Sequence, residues 1–224
     1  MKIHRLTVIS GLLAPILFLV GALFTAIPYR GLWGEAYSPL NHSVSELGEA
    51  GVSVWAPFFN GCLIGCNMCL ISFTSGLALQ MNGRVAWIFG ATGLIAGISG
   101  ALVGAFPVNH SGPHDAAART FFFANLILLA IFSQHAHCSP RGRFGRWNAL
   151  PGVFSLVCLV VYLTETSPLT FRQIGVRMTL TGHPDIWLAP VLEWLFFLSF
   201  LLWMGISACN LIFYEEPRET SPKD

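Results

Sequence analysis

The sequence predicts an all-α integral membrane protein in which six membrane-spanning helices form one bundle. Two observations support this fold class directly: six long apolar stretches and a shortage of charged residues. A helix needs about 20 mainly apolar residues to cross the hydrocarbon core, and four of the six stretches reach that length. The stretches are Leu6–Ile27, Pro57–Met81, Val85–Phe106, Ala116–Phe132, Leu150–Leu163 and Leu188–Tyr214.

The composition of the chain indicates that lipid is its solvent. The 224 residues are 54% hydrophobic and 10% charged, whereas soluble domains carry about 25% charged residues. So few charges do not cover a surface exposed to water. The net charge is +1, which excludes a basic field suited to nucleic acid. The partners we expect are membrane lipids and a hydrophobic small molecule.

The distribution of basic residues predicts the orientation of the bundle. Lys and Arg concentrate in cytoplasmic segments of membrane proteins. The N-terminus, the second connection and the fourth connection fall on one side of a six-span protein, and both termini are therefore predicted to be cytoplasmic. These segments carry Lys2, Arg5, Arg84, Arg141, Arg143 and Arg146. Residues 1–214 are predicted to form a single transmembrane domain, followed by a disordered cytoplasmic tail over residues 215–224.

The first outer connection contains the run Asn41-His-Ser-Val-Ser-Glu-Leu-Gly48. Either Asn41 or Ser43 is suited to cap a short helix through Ser45, Glu46 and Leu47. Gly48 and Gly51 are suited to end that helix. The sequence therefore predicts a short interfacial or re-entrant helix before the second span.

Two spans carry periodic patterns of small or polar residues. Gly93, Gly97, Gly100 and Gly104 follow 4-3-4 spacing in the third span. Such a glycine face lets a neighbouring helix approach closely. Asn60, Asn67 and Thr74 recur every seven residues in the second span and predict a polar stripe. That stripe must face other helices or water.

Charged and amide side chains gather near the predicted outer boundary. A charge inside a membrane is costly, so each one is a candidate site residue. Arg119 with Glu193 or Glu165 is the expected ion pair. This group is either structural, joining helix ends, or it forms a polar pocket. In the second case the ligand-binding residues are Ser45, Asn60, Asn67, Arg119 and Glu165.

Four of the seven histidines lie in predicted outer segments: His42, His110, His114 and His183. Histidine and carboxylate side chains are ordinary zinc ligands, and three of them with a water form a hydrolytic site. Their spacing is not a recognised metal motif, and a histidine in an outer loop also serves as a cap or interfacial residue. Zinc is therefore one candidate cofactor for these four residues.

The chain resembles an uncharacterised family of bacterial six-helix membrane proteins that is distantly similar to the FRAG/DRAM-like membrane proteins. The resemblance is carried by the run Asn41–Gly48, by Phe59-Asn60-Gly61, by Gly104-Ala-Phe-Pro107 and by the later residues His114 and Glu193. It implies six helices and a bacterial plasma membrane location. It also implies a cluster on the extracytoplasmic side, formed by Ser45, Glu46, Asn60, His114 and Glu193.

Three classes of function remain open at this point. The first is a protein that binds or handles a lipid-like or isoprenoid ligand in an outward-facing polar pocket. The second is an intramembrane enzyme on such a molecule, with Glu46, His114 and Glu193 in acid/base or metal-assisted chemistry, since a partly buried carboxyl group suits proton donation. The third is a non-catalytic accessory subunit of a membrane complex.

Overall fold

The computed structural model describes residues 2–138, 146–166 and 183–213, and within these ranges the chain is all-helical, without a β-strand. The predicted fold class is confirmed. The predicted tail over residues 215–224 lies outside the described residues. The α-helices of the described ranges are α1 (Lys2–Ala26), α2 (Ala56–Ala78), α3 (Gly83–Ala105), α4 (Ser111–Cys138), α5 (Ala149–Glu165) and α6 (Leu188–Phe213). Two short 3-10 helices, Val44–Gly48 and Arg146–Asn148, precede α2 and α5.

Five of these helices are long and apolar enough to cross a membrane, and the exception is α5, a shorter apolar helix of 17 residues. The chain is a multi-pass membrane protein. Helix α4 begins at Ser111, five residues before the predicted start of its span. Pro113 fits this early start because the first turn of a helix does not need its N–H groups.

The helices pack in chain order and close into one bundle. Each helix contacts the next one along the chain, and the last helix, α6, also contacts α1. The centre of the bundle is aromatic: the Trp203 ring lies 4.9 Å from the Phe132 ring and 5.7 Å from the Phe73 ring, centroid to centroid. These edge-to-face contacts add to the free energy gained by burial.

The predicted glycine face of α3 packs directly on α2. A Cβ atom on Gly97 would lie 2.9 Å from the backbone oxygen of Asn67, and one on Gly104 would lie 2.8 Å from that of Asn60. Real Cβ atoms do not come so close, and backbone atoms cannot move aside cheaply. The glycines therefore set the close α2–α3 approach, as the spacing predicted.

The polar stripe of α2 is satisfied mostly within its own helix. The Asn67 side chain donates to the carbonyl oxygen of Leu63 at 2.9 Å, and the Thr74 hydroxyl donates to that of Leu70 at 2.8 Å. Both side chains are buried. Local bonds of this kind remove the cost of burying polar groups in the bundle.

Three connections meet at one end of the bundle because successive helices run in alternating directions. They are residues 27–55, residues 106–110 and the described parts of residues 166–187. This end is called the site end below. All four predicted outer histidines belong to it or to the first turn of α4.

Candidate functional site

A cavity of about 620 Å³ opens at the site end of the bundle. Ligand sites for small molecules have volumes of about 300–1,000 Å³. The connection from α1 to α2 contributes one wall, and α2 and the ends of α3, α4, α5 and α6 contribute the others. The polar lining residues include Glu35, Ser43, Ser45, Glu46, Glu49, Asn67, Ser111, His114, Asp115, Thr166, His183 and Glu193.

The inner part of the cavity is apolar and reaches deep between the helices. Its walls include Leu63, Val103, Phe121, Phe122 and Phe197. Phe121 lies ten residues after the start of α4, which corresponds to about 15 Å along a helix. That is about half of the hydrocarbon thickness of a bilayer. The cavity thus joins a polar rim to an apolar interior at membrane depth.

The predicted short helix exists and forms the polar wall of the cavity. It is the 3-10 helix Val44–Gly48, and Ser43 is the residue that caps it. The Ser43 N–H donates to Glu46 Oε1 at 2.7 Å, and its hydroxyl donates to the same oxygen at 3.0 Å. These bonds fix the Glu46 carboxylate at the rim.

The end of this short helix is fastened to α2. The Asn60 side chain donates to the carbonyl oxygen of Gly48 at 3.0 Å. A Cβ atom on Gly48 would clash with Asn60 Oδ1, so a larger residue at this position would displace the Asn60 side chain. Asn60 therefore supports the cavity wall and does not line the cavity.

Helix α6 holds the same connection from the other side. The Glu193 side chain is only 5% exposed, and its Oε2 accepts the Val44 N–H at 3.0 Å. The Trp194 indole N–H donates to the Tyr37 hydroxyl oxygen at 2.9 Å, and that hydroxyl donates to the Ser43 carbonyl oxygen at 2.8 Å. These bonds position the 3-10 helix against α6.

Beside the cavity, Glu35, His42 and His183 form a compact group, called the Glu35 cluster below. Glu35 Oε1 lies 3.6 Å from His42 Nε2 and 3.5 Å from His183 Nδ1. The two imidazole rings are stacked, with centroids 4.2 Å apart. Glu35 and His183 line the cavity, and His42 lies behind them with 1% exposure.

The surroundings shift the pKa values of His42 and His183 in opposite directions. Burial lowers the pKa of His42, although the nearby Glu46 carboxylate opposes the shift. A hydrogen bond to Glu46 raises the pKa of His183. Burial and the carboxylates of Glu46, Glu49 and Glu35 raise the pKa of the Tyr29 hydroxyl. Neutral His42 thus keeps a ring nitrogen lone pair, which is the form that binds metals.

The structure brings together about half of the residues that the sequence predicted for the site. Those that line the cavity are Ser45, Glu46, Asn67, His114, His183 and Glu193. His114 is buried, and its Nδ1 lies 2.8 Å from the Phe106 carbonyl oxygen. The side chains of His110, Arg119 and Glu165 are exposed and do not line it.

Neither expected ion pair of Arg119, with Glu193 or with Glu165, is found among the described residues, where Arg119 is exposed and Glu193 accepts the Val44 N–H. Sequence reasoning missed Glu35, which lies in the predicted outer connection without any spacing that relates it to His183. The nearby Trp33 backbone N–H donates to Glu35 Oε2 at 2.9 Å and orients the carboxylate. Nothing in the sequence pattern identifies that contact.

A sequence model of the DUF998 family, described as a protein of unknown function, matches residues 12–210. The match spans most of the chain, which therefore belongs to this family. It confirms the resemblance to an uncharacterised family, whereas the similarity to FRAG/DRAM-like proteins stays a prediction. No curated protein and no solved structure matches the chain.

Proposed function

We propose that this member of the DUF998 family binds a lipid-like or isoprenoid molecule in the cavity at its site end. The observation that carries the proposal is the combination of an acidic and imidazole rim with an apolar interior in one cavity of about 620 Å³. An amphipathic ligand places its head group at such a rim and its tail between the helices.

The rim favours a head group that donates hydrogen bonds or is cationic. Five carboxylate residues line the cavity: Glu35, Glu46, Glu49, Asp115 and Glu193. No Lys or Arg is found among the described lining residues. An anionic phosphate head would face these carboxylates without a Lys or Arg among the described lining residues to pair with it. A hydroxyl or amine head group instead finds acceptors in the Glu46 and Glu193 carboxylates.

The apolar interior suits a hydrocarbon tail. Phe121 and Phe197 stack at 5.8 Å between centroids, and both line the cavity with Phe122. Each methylene group of a tail buried there contributes about 0.8 kcal/mol. Tail length thus controls affinity, and the head group controls orientation.

We further propose that the site end faces the extracytoplasmic side of a bacterial inner membrane. The distribution of the described basic residues supports this orientation, because four of the six lie toward the opposite end of the bundle: Lys2, Arg5, Arg84 and Arg146. Ala50 and Asn82 are exposed at the site end and the opposite end respectively. In intact cells a membrane-impermeant maleimide should label Ala50→Cys and spare Asn82→Cys. The reverse labelling would contradict the orientation.

The binding proposal is tested by filling the cavity from its wall. Ala118 on α4 lines the cavity, whereas Ala130 on the same helix is exposed on the outside of the bundle. In Ala118→Phe the new ring displaces about three methylene groups of a tail, which is worth ~2.4 kcal/mol or roughly a 50-fold loss of affinity. Ala130→Phe is the matched control and should bind like the unmodified protein.

The assay uses purified protein in detergent and three fluorescent long-chain probes that carry an alcohol, an amine or a phosphate head. We expect binding of the alcohol or the amine, weaker binding of the phosphate, and loss of binding in Ala118→Phe. Equal binding by Ala118→Phe and Ala130→Phe would refute the cavity as the binding site. Preferential binding of the phosphate probe would refute the assignment of the head group.

An intramembrane enzyme on the same kind of molecule is the second candidate. The observation that favours it is the Glu35 cluster at the rim, beside Glu46, His114 and Glu193. An enzyme would convert the bound alcohol or amine probe or an ester of it, which product analysis by mass spectrometry detects. A non-catalytic accessory subunit has no need of such a cavity, and no observation favours it.

A further inference from the structure

We propose that Glu35 Oε1, His42 Nε2 and His183 Nδ1 ligate a divalent transition-metal ion, for which zinc is the probe. This metal site goes beyond the binding of an amphipathic molecule, and it stands or falls independently of that proposal. Glu35 and His42 lie in the α1–α2 connection, and His183 lies in the segment before α6. Each offers one ligand atom, and all three atoms lie within 4.8 Å of one another.

The distances from Glu35 Oε1 to the two histidine nitrogens suit a tetrahedral ion. Zinc binds histidine nitrogen and carboxylate oxygen at about 2.0–2.2 Å. Two ligands of a tetrahedral ion at that bond length lie roughly 3.3–3.6 Å apart. Glu35 Oε1 is 3.6 Å from His42 Nε2 and 3.5 Å from His183 Nδ1. An ion at their centre needs only small side-chain movements.

All three atoms are buried polar atoms that lack a hydrogen-bond partner. Buried polar atoms are nearly always partnered, so each exception calls for a reason. Here three exceptions converge on one point, and the His42 side chain that carries one of them is 1% exposed. One bound cation would satisfy all three atoms together.

The other polar atom of each side chain in the cluster contacts a neighbouring polar group, as is usual for histidine and carboxylate ligands of metals. His42 Nδ1 lies 2.7 Å from Asn41 Oδ1, and the Asn41 amide nitrogen donates to the Pro184 carbonyl oxygen at 2.9 Å. That second bond orients the amide, so His42 Nδ1 carries the proton and donates it. The Ser38 N–H, at 3.4 Å from the same nitrogen, is a longer and weaker competitor. The Nε2 lone pair of His42 therefore points to the cluster.

In His183 the two ring nitrogens have the opposite roles: Nε2 is held by a neighbour and Nδ1 faces the cluster. Its Nε2 lies 3.3 Å from Glu46 Oε2, so an N–H on Nε2 points to a carboxylate and Nδ1 keeps a lone pair. Glu35 Oε2 accepts the Trp33 N–H, which leaves Oε1 for the ion. Each ligand thus has its second polar atom fixed by a different neighbour. Carboxylate–histidine–metal arrangements of this kind set the tautomer and the ring orientation.

The set of two histidines and one carboxylate leaves a fourth position for water or substrate, as in catalytic zinc sites. Since Glu35 and His183 line the cavity, that position is reached from the cavity. An oxygen or nitrogen of a head group is suited to occupy it. Occupation of this position by a head group rests on the proposed function, whereas the three protein ligands do not.

The test is zinc binding to the full chain, purified in detergent and stripped with a chelator that is then removed. Zinc is titrated in competition with a chromophoric chelator. We expect one zinc ion per chain and a loss of affinity of at least about 100-fold in Glu35→Gln and in His42→Ala. Asn41→Leu, which removes the bond to His42 Nδ1, should lose about 10- to 100-fold. The control is His110→Ala, an exposed histidine at the same end, which should bind zinc normally.

Folding is checked on every variant by its thermal transition without zinc. His42 is buried and its alanine variant is the one at risk, whereas Glu35→Gln is isosteric at a side chain that is 28% exposed. Unchanged zinc affinity in folded Glu35→Gln would overturn the site, and so would the absence of zinc binding or an equal loss in His110→Ala. Loss of zinc binding in Glu35→Gln with retained alcohol-probe binding supports the metal site and leaves the cavity proposal intact.

Discussion

The buried hydrogen bond between Glu193 and the Val44 N–H is the contact whose loss should most weaken the site end. Glu193 is 5% exposed, and its Oε2 accepts that N–H at 3.0 Å. Glu193→Gln and Glu193→Leu both replace the carboxyl group, but only Gln keeps an acceptor oxygen. The difference between the two variants therefore isolates the hydrogen bond to the Val44 N–H.

In Glu193→Leu the Val44 N–H stays buried without a partner, which costs about 1–3 kcal/mol of unfolding free energy. For a chain of this size each kcal/mol shifts the melting temperature by about 2–4 °C. We expect Glu193→Leu to melt roughly 2–12 °C below Glu193→Gln. The two variants bury side chains of similar size, so packing differences contribute little.

The assay uses the free cysteines of the chain as reporters. Cys66 and Cys158 are buried, so a thiol-reactive dye gains signal as the protein unfolds in detergent. The melting temperatures of both variants are measured at the same pH and detergent concentration. If Glu193→Leu melts at the temperature of Glu193→Gln or above it, the Val44 N–H does not depend on this acceptor and the reasoning is refuted.

Two further predictions concern packing and pH. Gly97→Val should destabilise the fold by about 1–3 kcal/mol because the new side chain meets the Asn67 backbone. Gly61→Val is the control, since Gly61 has open space around it and the fold should keep its stability. Equal melting temperatures of the two variants would contradict the close α2–α3 approach. Burial and the neighbouring Glu46 raise the pKa of Glu49 above its ordinary value of 4.5. Ionising Glu49 therefore costs stability as the pH rises above about 4.5, and Glu49→Gln should melt higher than the unmodified protein at pH 7 but not at pH 4.

The sequence was sufficient for the helices and for one packing surface. Apolar runs of about 20 residues decide the number and placement of spans because lipid leaves no alternative for the backbone. The glycine face of α3 could also be predicted from the sequence, since its 4-3-4 spacing depends only on helical geometry. The short helix before α2 was also predicted from local chemistry, which offered Asn41 and Ser43 as caps, and the structure has Ser43 in that position.

The contacts between segments that are distant in the sequence could not be predicted from it. Arg119 and Glu193 were expected to pair because they share a boundary, but the rotation of α4 about its axis leaves Arg119 exposed. Glu35 meets His183 although 148 positions of the sequence separate them, and no periodic pattern relates the two residues. Side-chain direction at a loop or a helix end depends on tertiary packing, which a single sequence does not encode locally.

The most direct test of the account is an experimental density map of the protein in lipid nanodiscs. We expect elongated non-protein density between α2, α4 and α6, with its polar end beside Glu46 and Glu193 and its tail against Phe121 and Phe197. A cavity filled by protein side chains, or one occupied by water alone along its full depth, would contradict it.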